Sequence, residues 1–144
     1  MNGSAAFTPH GPGFRFVDSF EQGDQSKSGT AQFHLKPDLW FFADHFPGNP
    51  IMPAVLLLEC AAQAAGVLWM SLSNTPETLP GTPLFVAGVD TVRIQGPARP
   101  EDTLITKIEL LKEFGSLAQF QFETTTSENT VACGRLTLSR QLKA

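Results

Sequence analysis

The apolar residues of the chain follow two patterns. From Ser28 to Leu35 they partly alternate, with Ala31, Phe33 and Leu35 on one side and Thr30, Gln32 and His34 on the other, the period of a half-buried strand. From Ala54 to Met70 they are nearly continuous and rich in Ala, Leu and Met, which are strong helix formers. Pro53 suits the first turn of that helix, where a missing N–H costs little. Ser71–Pro83 breaks the pattern with Ser73, Asn74, Pro76, Pro80, Gly81 and Pro83. Ahead of the helix, two strands are predicted at Phe14–Glu21 and Ser28–Leu35, joined by the turn Gln22-Gly23-Asp24-Gln25. The run His10-Gly11-Pro12-Gly13 makes residues 1–13 an irregular lead-in. After the helix, four more strands are predicted: Leu84–Ile94, Thr103–Leu111, Leu117–Thr125 and Thr130–Leu138.

Two strands, one long apolar helix and four strands make an α+β layout in a single domain, residues 1–144. An antiparallel sheet curling round the helix explains why that helix has no polar face. By length alone Ala54–Leu72 would also cross a bilayer. Glu59 and Gln63 lie inside it, however, and no Lys or Arg flanks it closely, so no membrane span is expected. Charge narrows the partners further. With 10 basic against 14 acidic residues, the net charge of −4 offers no footprint for nucleic acid. Cys60 and Cys133 form no framework and no CxxC pair, which points to a reduced, cytoplasmic setting. Met1–Gly13 lacks the cationic start and apolar run of a signal peptide.

Candidate chemistry gathers around the helix. Glu59 is an ionisable group in Ala54-Val55-Leu56-Leu57-Leu58-Glu59-Cys60-Ala61-Ala62-Gln63, where a charge is costly unless it is paired or neutralised. Desolvation would suit it to donating a proton. The alternative is a helix face that reaches solvent or a subunit interface. Gln63, four residues on, shares its face and is placed to hold the carboxyl group. His45 ends a loop, Leu39–Pro53, unusual for combining Trp40, Phe41, Phe42 and Phe46 with Pro47, Gly48, Pro50 and Pro53. The start of the helix at Ala54 offers free N–H groups to a developing negative charge. A base, an acid and a helix N-terminus together fit proton removal beside a carbonyl, with the acid helping a hydroxyl to leave. His10 and His34 have no comparable setting.

The segment His45-Phe46-Pro47-Gly48-Asn49-Pro50-Ile51-Met52-Pro53-Ala54-Val55-Leu56-Leu57-Leu58-Glu59 closely resembles the signature of the 3-hydroxyacyl-acyl-carrier-protein dehydratases, and Gln63-Ala64-Ala65-Gly66 continues the match. Phe85–Asp90 through Arg93, Pro97 and Asp102 is similar to that family's later strand and turn. His10 and Phe14–Asp18 are similar to its opening segment. The resemblance implies the hotdog fold, no cofactor and no metal. It implies a substrate thioester carried by an acyl carrier protein, and a homodimer or trimer of dimers whose active sites are shared across the dimer interface. His45 of one subunit would take the C2 proton, and Glu59 of the other would protonate the departing 3-hydroxyl. Ala54 and Gly48 would bind the thioester carbonyl, Gln63 would support the acid, and Phe85, Phe42 and Phe46 would line the acyl tunnel. A Glu in the acid position resembles the simple dehydratase branch, which does not isomerise the double bond, and implies fatty-acid or related lipid or polyketide synthesis.

Three positions depart from the family pattern: Ala54 stands where Gly is usual, Asn49 where a basic residue or His is common, and no Tyr is present to gate the channel near Phe85. An acidic carrier protein would need a basic contact, for which Arg93, Arg99 and Lys107 are candidates. Two other uses of the fold are an acyl-thioester hydrolase and a non-catalytic acyl-binding subunit. The presence of both His45 and Glu59 argues against each.

Overall fold

The computed structural model describes residues 2–4, 8–24, 27–72 and 83–140. Seven strands and one helix follow in the order β1 (Asn2–Ser4), β2 (Ser19–Gln22), β3 (Ser28–His34), α1 (Ala54–Leu72), β4 (Phe85–Ile94), β5 (Thr103–Phe114), β6 (Leu117–Thr125) and β7 (Thr130–Ser139). The strands form one antiparallel sheet in the order β1-β2-β3-β5-β6-β7-β4. The sheet wraps α1, which is the hotdog arrangement. Ala54–Leu72 is long and apolar enough to cross a membrane, yet two thirds of it is buried inside the protein's own fold.

Period-two burial along the strands supplies the covering face. Leu104, Ile108 and Leu110 on β5, Ala118, Phe120 and Phe122 on β6, and Leu136 and Leu138 on β7 point inward. All but Leu104 pack with Ala61, Ala64, Ala65, Leu68 and Trp69 of the helix. Short Ala side chains let the helix sit close to the sheet, and the aromatic rings fill what is left. The polar residues Thr106 and Thr124 also face inward. They are cross-strand neighbours whose hydroxyls satisfy each other at 3.0 Å. A second cluster lies under the loop before the helix, where Phe16, Phe33, Leu35, Phe41, Phe42, Met52, Leu57 and Leu104 meet.

Three elements differ from the sequence expectation. Phe14–Glu21 forms a strand only over Ser19–Gln22, with a 3-10 turn at Pro12–Phe14. The backbone of Phe14 and Phe16 is instead bonded to the side chain of Gln63, which takes it out of the sheet ladder. The lead-in contains a short strand, β1, paired with β2. β5 runs three residues beyond Leu111, because its ladder with β6 continues to Phe114 opposite Leu117; there Glu113 accepts a 3.0 Å hydrogen bond from Trp69 Nε1 at the far end of the helix. Arg140 covers the other side of that indole at 4.3 Å. The break in Ser71–Pro83 falls mostly on residues 73–82, outside the described residues, and part of the Gln22–Gln25 turn does likewise.

β4 is an edge strand with two register shifts, one of them between Asp90 and Arg93. There the chain bulges, with Thr91 at φ 51°, and Val92 turns toward the core. Gly134 on the facing strand makes this possible. Its φ is +155°, and a Cβ there would lie 2.7 Å from Val92 Cα. Gly134→Ala is therefore expected to cost about 2 kcal/mol or more, combining backbone strain with a clash against main chain. Gly115→Ala, at φ +62° with open space around it, carries the conformational cost alone, about 1 kcal/mol. Denaturation midpoints of the two variants check this. Equal losses would mean that the approach of Val92 is not what requires Gly134.

Candidate active site

The loop that carries His45 is held by its own backbone. Phe46 and Asn49 exchange N–H···O bonds of 2.9 and 2.8 Å around Pro47-Gly48. Gly48 has φ +74°, the sign a Pro-Gly type II turn requires at its second central position. The His45 carbonyl accepts from the Ile51 N–H at 2.7 Å, and His45 Nδ1 lies 2.9 Å from the Ile51 carbonyl. A carbonyl can only accept, so Nδ1 carries the hydrogen and Nε2 is left with a free lone pair. That is the tautomer of a base, and the ring is fixed further by stacking on Phe46 at 4.0 Å. Arg99 Nη1 donates to Asn49 Oδ1 at 3.0 Å, which places a cation beside this loop.

The loop then turns into α1. Leu56 N–H and Leu57 N–H donate to Pro53 O, so Ala54 and Val55 stand at the exposed start of the helix, where N–H groups lack intrahelical acceptors. On one side of the helix Val55 is exposed and Glu59 and Gly66 are half-buried, with the buried Ala62 between them.

Glu59 is a quarter exposed, rather than sealed among apolar side chains as its sequence neighbours suggest. Gln63, itself 4% exposed, makes three hydrogen bonds. Its Nε2 donates to Glu59 Oε2 at 2.9 Å and to Phe14 O at 2.9 Å, and its Oε1 accepts from the Phe16 N–H at 2.7 Å. Cys60 Sγ adds a contact to Phe16 O at 3.4 Å. The segment before β2 is thus strapped across the helix at the level of the carboxylate. Burial pushes the Cys60 thiol up to about 12, so it is no nucleophile near neutral pH.

Helix α1 packs on β2, β3, β5, β6 and β7. Between it and β4 lies a cavity of about 530 Å³, within the range of small-molecule sites. Glu59, His10 and Gln63 lie at its polar end, and Gly66, Val67, Met70, Leu84 and Phe85 line its apolar length. From Glu59 to Met70 the helix rises about 16 Å at 1.5 Å per residue. Gly66 in mid-helix costs about 1 kcal/mol relative to Ala. A Cβ there would crowd Leu84 Cδ1 at 3.3 Å and narrow this space.

His45 does not line the cavity that holds Glu59, and neither does Phe42 or Phe46. Phe42 is 3% exposed and belongs to the second core cluster. Phe46 is half-exposed beside His45. Phe85 does line the cavity. The side chain that sequence reasoning passed over is His10, whose Nε2 lies 3.4 Å from Glu59 Oε2. Its only sequence signal is its place in the opening segment, 49 residues before Glu59.

A family profile for FabA-like domains matches residues 8–134, which takes in His10, His45 and Glu59. The chain belongs to the FabA-like family. Among its relatives, the 3-hydroxyacyl-[acyl-carrier-protein] dehydratase FabZ of Blochmanniella pennsylvanica (strain BPEN) is 35% identical over 125 residues, spanning 87% of this chain and 81% of its own length. The protein of the same description from Thiobacillus denitrificans is 39% identical over 108 residues, spanning 74% of this chain and 73% of its own. Among solved structures, the dehydratase heterocomplex ApeI:P from Xenorhabdus doucetiae aligns with a TM-score of 0.75 at 20% identity, over 96% of this chain and 90% of that one. This last likeness is one of fold. The FabA-like chain therefore carries the two groups of its motif on rigid supports, one on a bonded turn and one on the core helix.

Proposed function

We propose that this protein is a 3-hydroxyacyl thioester dehydratase, taking its substrate from an acyl carrier protein in the cytoplasm. Its active site is completed by a second copy of the chain. His45 Nε2 takes the C2 proton, the electron pair forms the C2=C3 double bond, and the C3–O bond breaks. The hydroxyl leaves as water with the proton from Glu59. The products are a trans-2-enoyl thioester and water, and solvent returns the proton from His45 to Glu59. Free N–H groups at the helix start, with Ala54 first and Gly48 nearby in sequence, polarise the thioester carbonyl as charge develops on it.

The observation that carries this reading is the separation of the pair. His45 has the tautomer of a base and Glu59 is a positioned acid, yet within one chain His45 does not line the cavity that holds Glu59. Each stands beside apolar surface that is exposed in the single chain: Val55 at 73%, Phe46 at 50%, and Val86, Val89 and Ile94 on the edge strand β4. Such an edge invites pairing with another strand. A second copy laid along β4 covers that surface and brings the two halves of the site together. Arg99, bonded to Asn49 beside the His45 turn, is the basic contact best placed for an acidic carrier. Arg93 and Lys107 lie in a separate trough with Glu109 and Glu123.

The test is an assay of purified protein with 3-hydroxyacyl thioesters of increasing length. An enoyl thioester is the expected product, and free thiol would mark a hydrolase instead. His45→Ala and Glu59→Gln should each lower turnover at least about 100-fold while the protein stays folded. Near-normal turnover in either variant removes that residue from the mechanism. In the same series, Phe85→Ala should move the preferred acyl length more than it lowers the rate on short chains, since each buried methylene is worth about 0.8 kcal/mol. A uniform drop at every length would mean that Phe85 supports the fold and is no part of the acyl wall.

A further inference from the structure

We propose that His10 is a positioning residue that, together with Gln63, selects which oxygen of Glu59 exchanges a proton with substrate; the assignment rests on the dehydratase reading above. Both side chains address the same atom. Gln63 Nε2 donates to Oε2 at 2.9 Å, and His10 Nε2 stands 3.4 Å from it. Oε1 is left as the oxygen for substrate. An acid that gives up a proton through one oxygen works best when the other is held by donors, because a freely rotating carboxyl presents the wrong oxygen much of the time.

The imidazole is itself held for this task. Its backbone carbonyl accepts a 2.9 Å hydrogen bond from Arg15 Nη2, and its ring lies 6.2 Å from that of Phe14. Phe14 is tied to the same Gln63 through its carbonyl oxygen. Nδ1 of His10 is buried and has no hydrogen-bond partner among the described residues. A buried N–H without an acceptor is costly, so the ring hydrogen belongs on Nε2, the atom facing Glu59. The N–H of His10 therefore stands on the side of the ring that faces the carboxylate, 3.4 Å from Oε2. The strap that carries it is anchored to the helix one turn from the acid.

The experiment uses the full-length oligomer and compares wild type with His10→Phe, which keeps a ring and removes the donor, and His10→Gln, whose amide nitrogen falls near the position of Nε2. Donor loss should lower kcat about 10- to 100-fold, the scale of a misplaced catalytic group, with KM within threefold of wild type. His10→Gln should recover at least a third of wild-type kcat. If His10→Phe does not fold, His10→Asn, whose shorter amide ends near the Nδ1 position, takes its place as the low-activity variant. An unchanged kcat in His10→Phe overturns the proposal, and so does a His10→Gln rate no higher than that of the donor-less variant. Glu59→Gln is measured alongside. If it remains active the dehydratase site itself is wrong, whereas a dead Glu59→Gln beside an unaffected His10→Phe removes only the role of His10.

Discussion

A 19-residue helix with almost no polar face has to be covered on more than one side, and the molecule is organised around that constraint. Five strands cover most of the helix. Toward the edge strand β4 they leave a gap, which Glu59, Ala62 and Gly66 of the helix face. The gap is apolar along its length because the helix is apolar there. It is polar at one end because the only carboxylate of the helix lies there. Cavity, acid and exposed edge thus share one origin: the core helix has more apolar surface than its own sheet can bury.

A carboxylate in such a place must be managed by hydrogen bonds. Gln63 does this and also fastens the chain before β2, since one amide bonds Glu59, Phe14 and Phe16 together. That segment gives up strand pairing in exchange. The base is managed differently. The tautomer of His45 is set locally, by the Ile51 carbonyl within a turn that closes on itself. One catalytic group is therefore placed by tertiary structure and the other by local structure, so the two are separable by mutation.

Much of this was legible in the sequence, for identifiable reasons. The helix could be read because Pro53 marks its start and its composition leaves no alternative, and the strands from β4 onward because turn residues bound them. The motif from His45 to Glu59 pointed to the chemistry, and Phe85 to the cavity wall. The segment Phe14–Asp18 was misread because its apolar residues suit a strand, while its hydrogen bonds go to a side chain 47 residues away. His10 carries no sign of a place in the site for the same reason, since nothing local says that a lead-in folds back over the helix. Aromatics in a loop look alike in sequence, and only the packing shows that Phe42 sits in the second core cluster while Phe46 is half-exposed.

The central claim is that one working site is made from two chains, and subunit mixing tests it most directly. Inactive His45→Ala protein and inactive Glu59→Gln protein are combined under conditions in which subunits exchange, and exchange is confirmed by mass. The account predicts that dehydration returns, to as much as about a quarter of the wild-type rate per chain, because half of the dimers are then mixed and each mixed dimer holds one intact His45/Glu59 site of its two. If mixed dimers form and the activity stays at the level of the separate variants, the site does not lie between subunits and the account is contradicted.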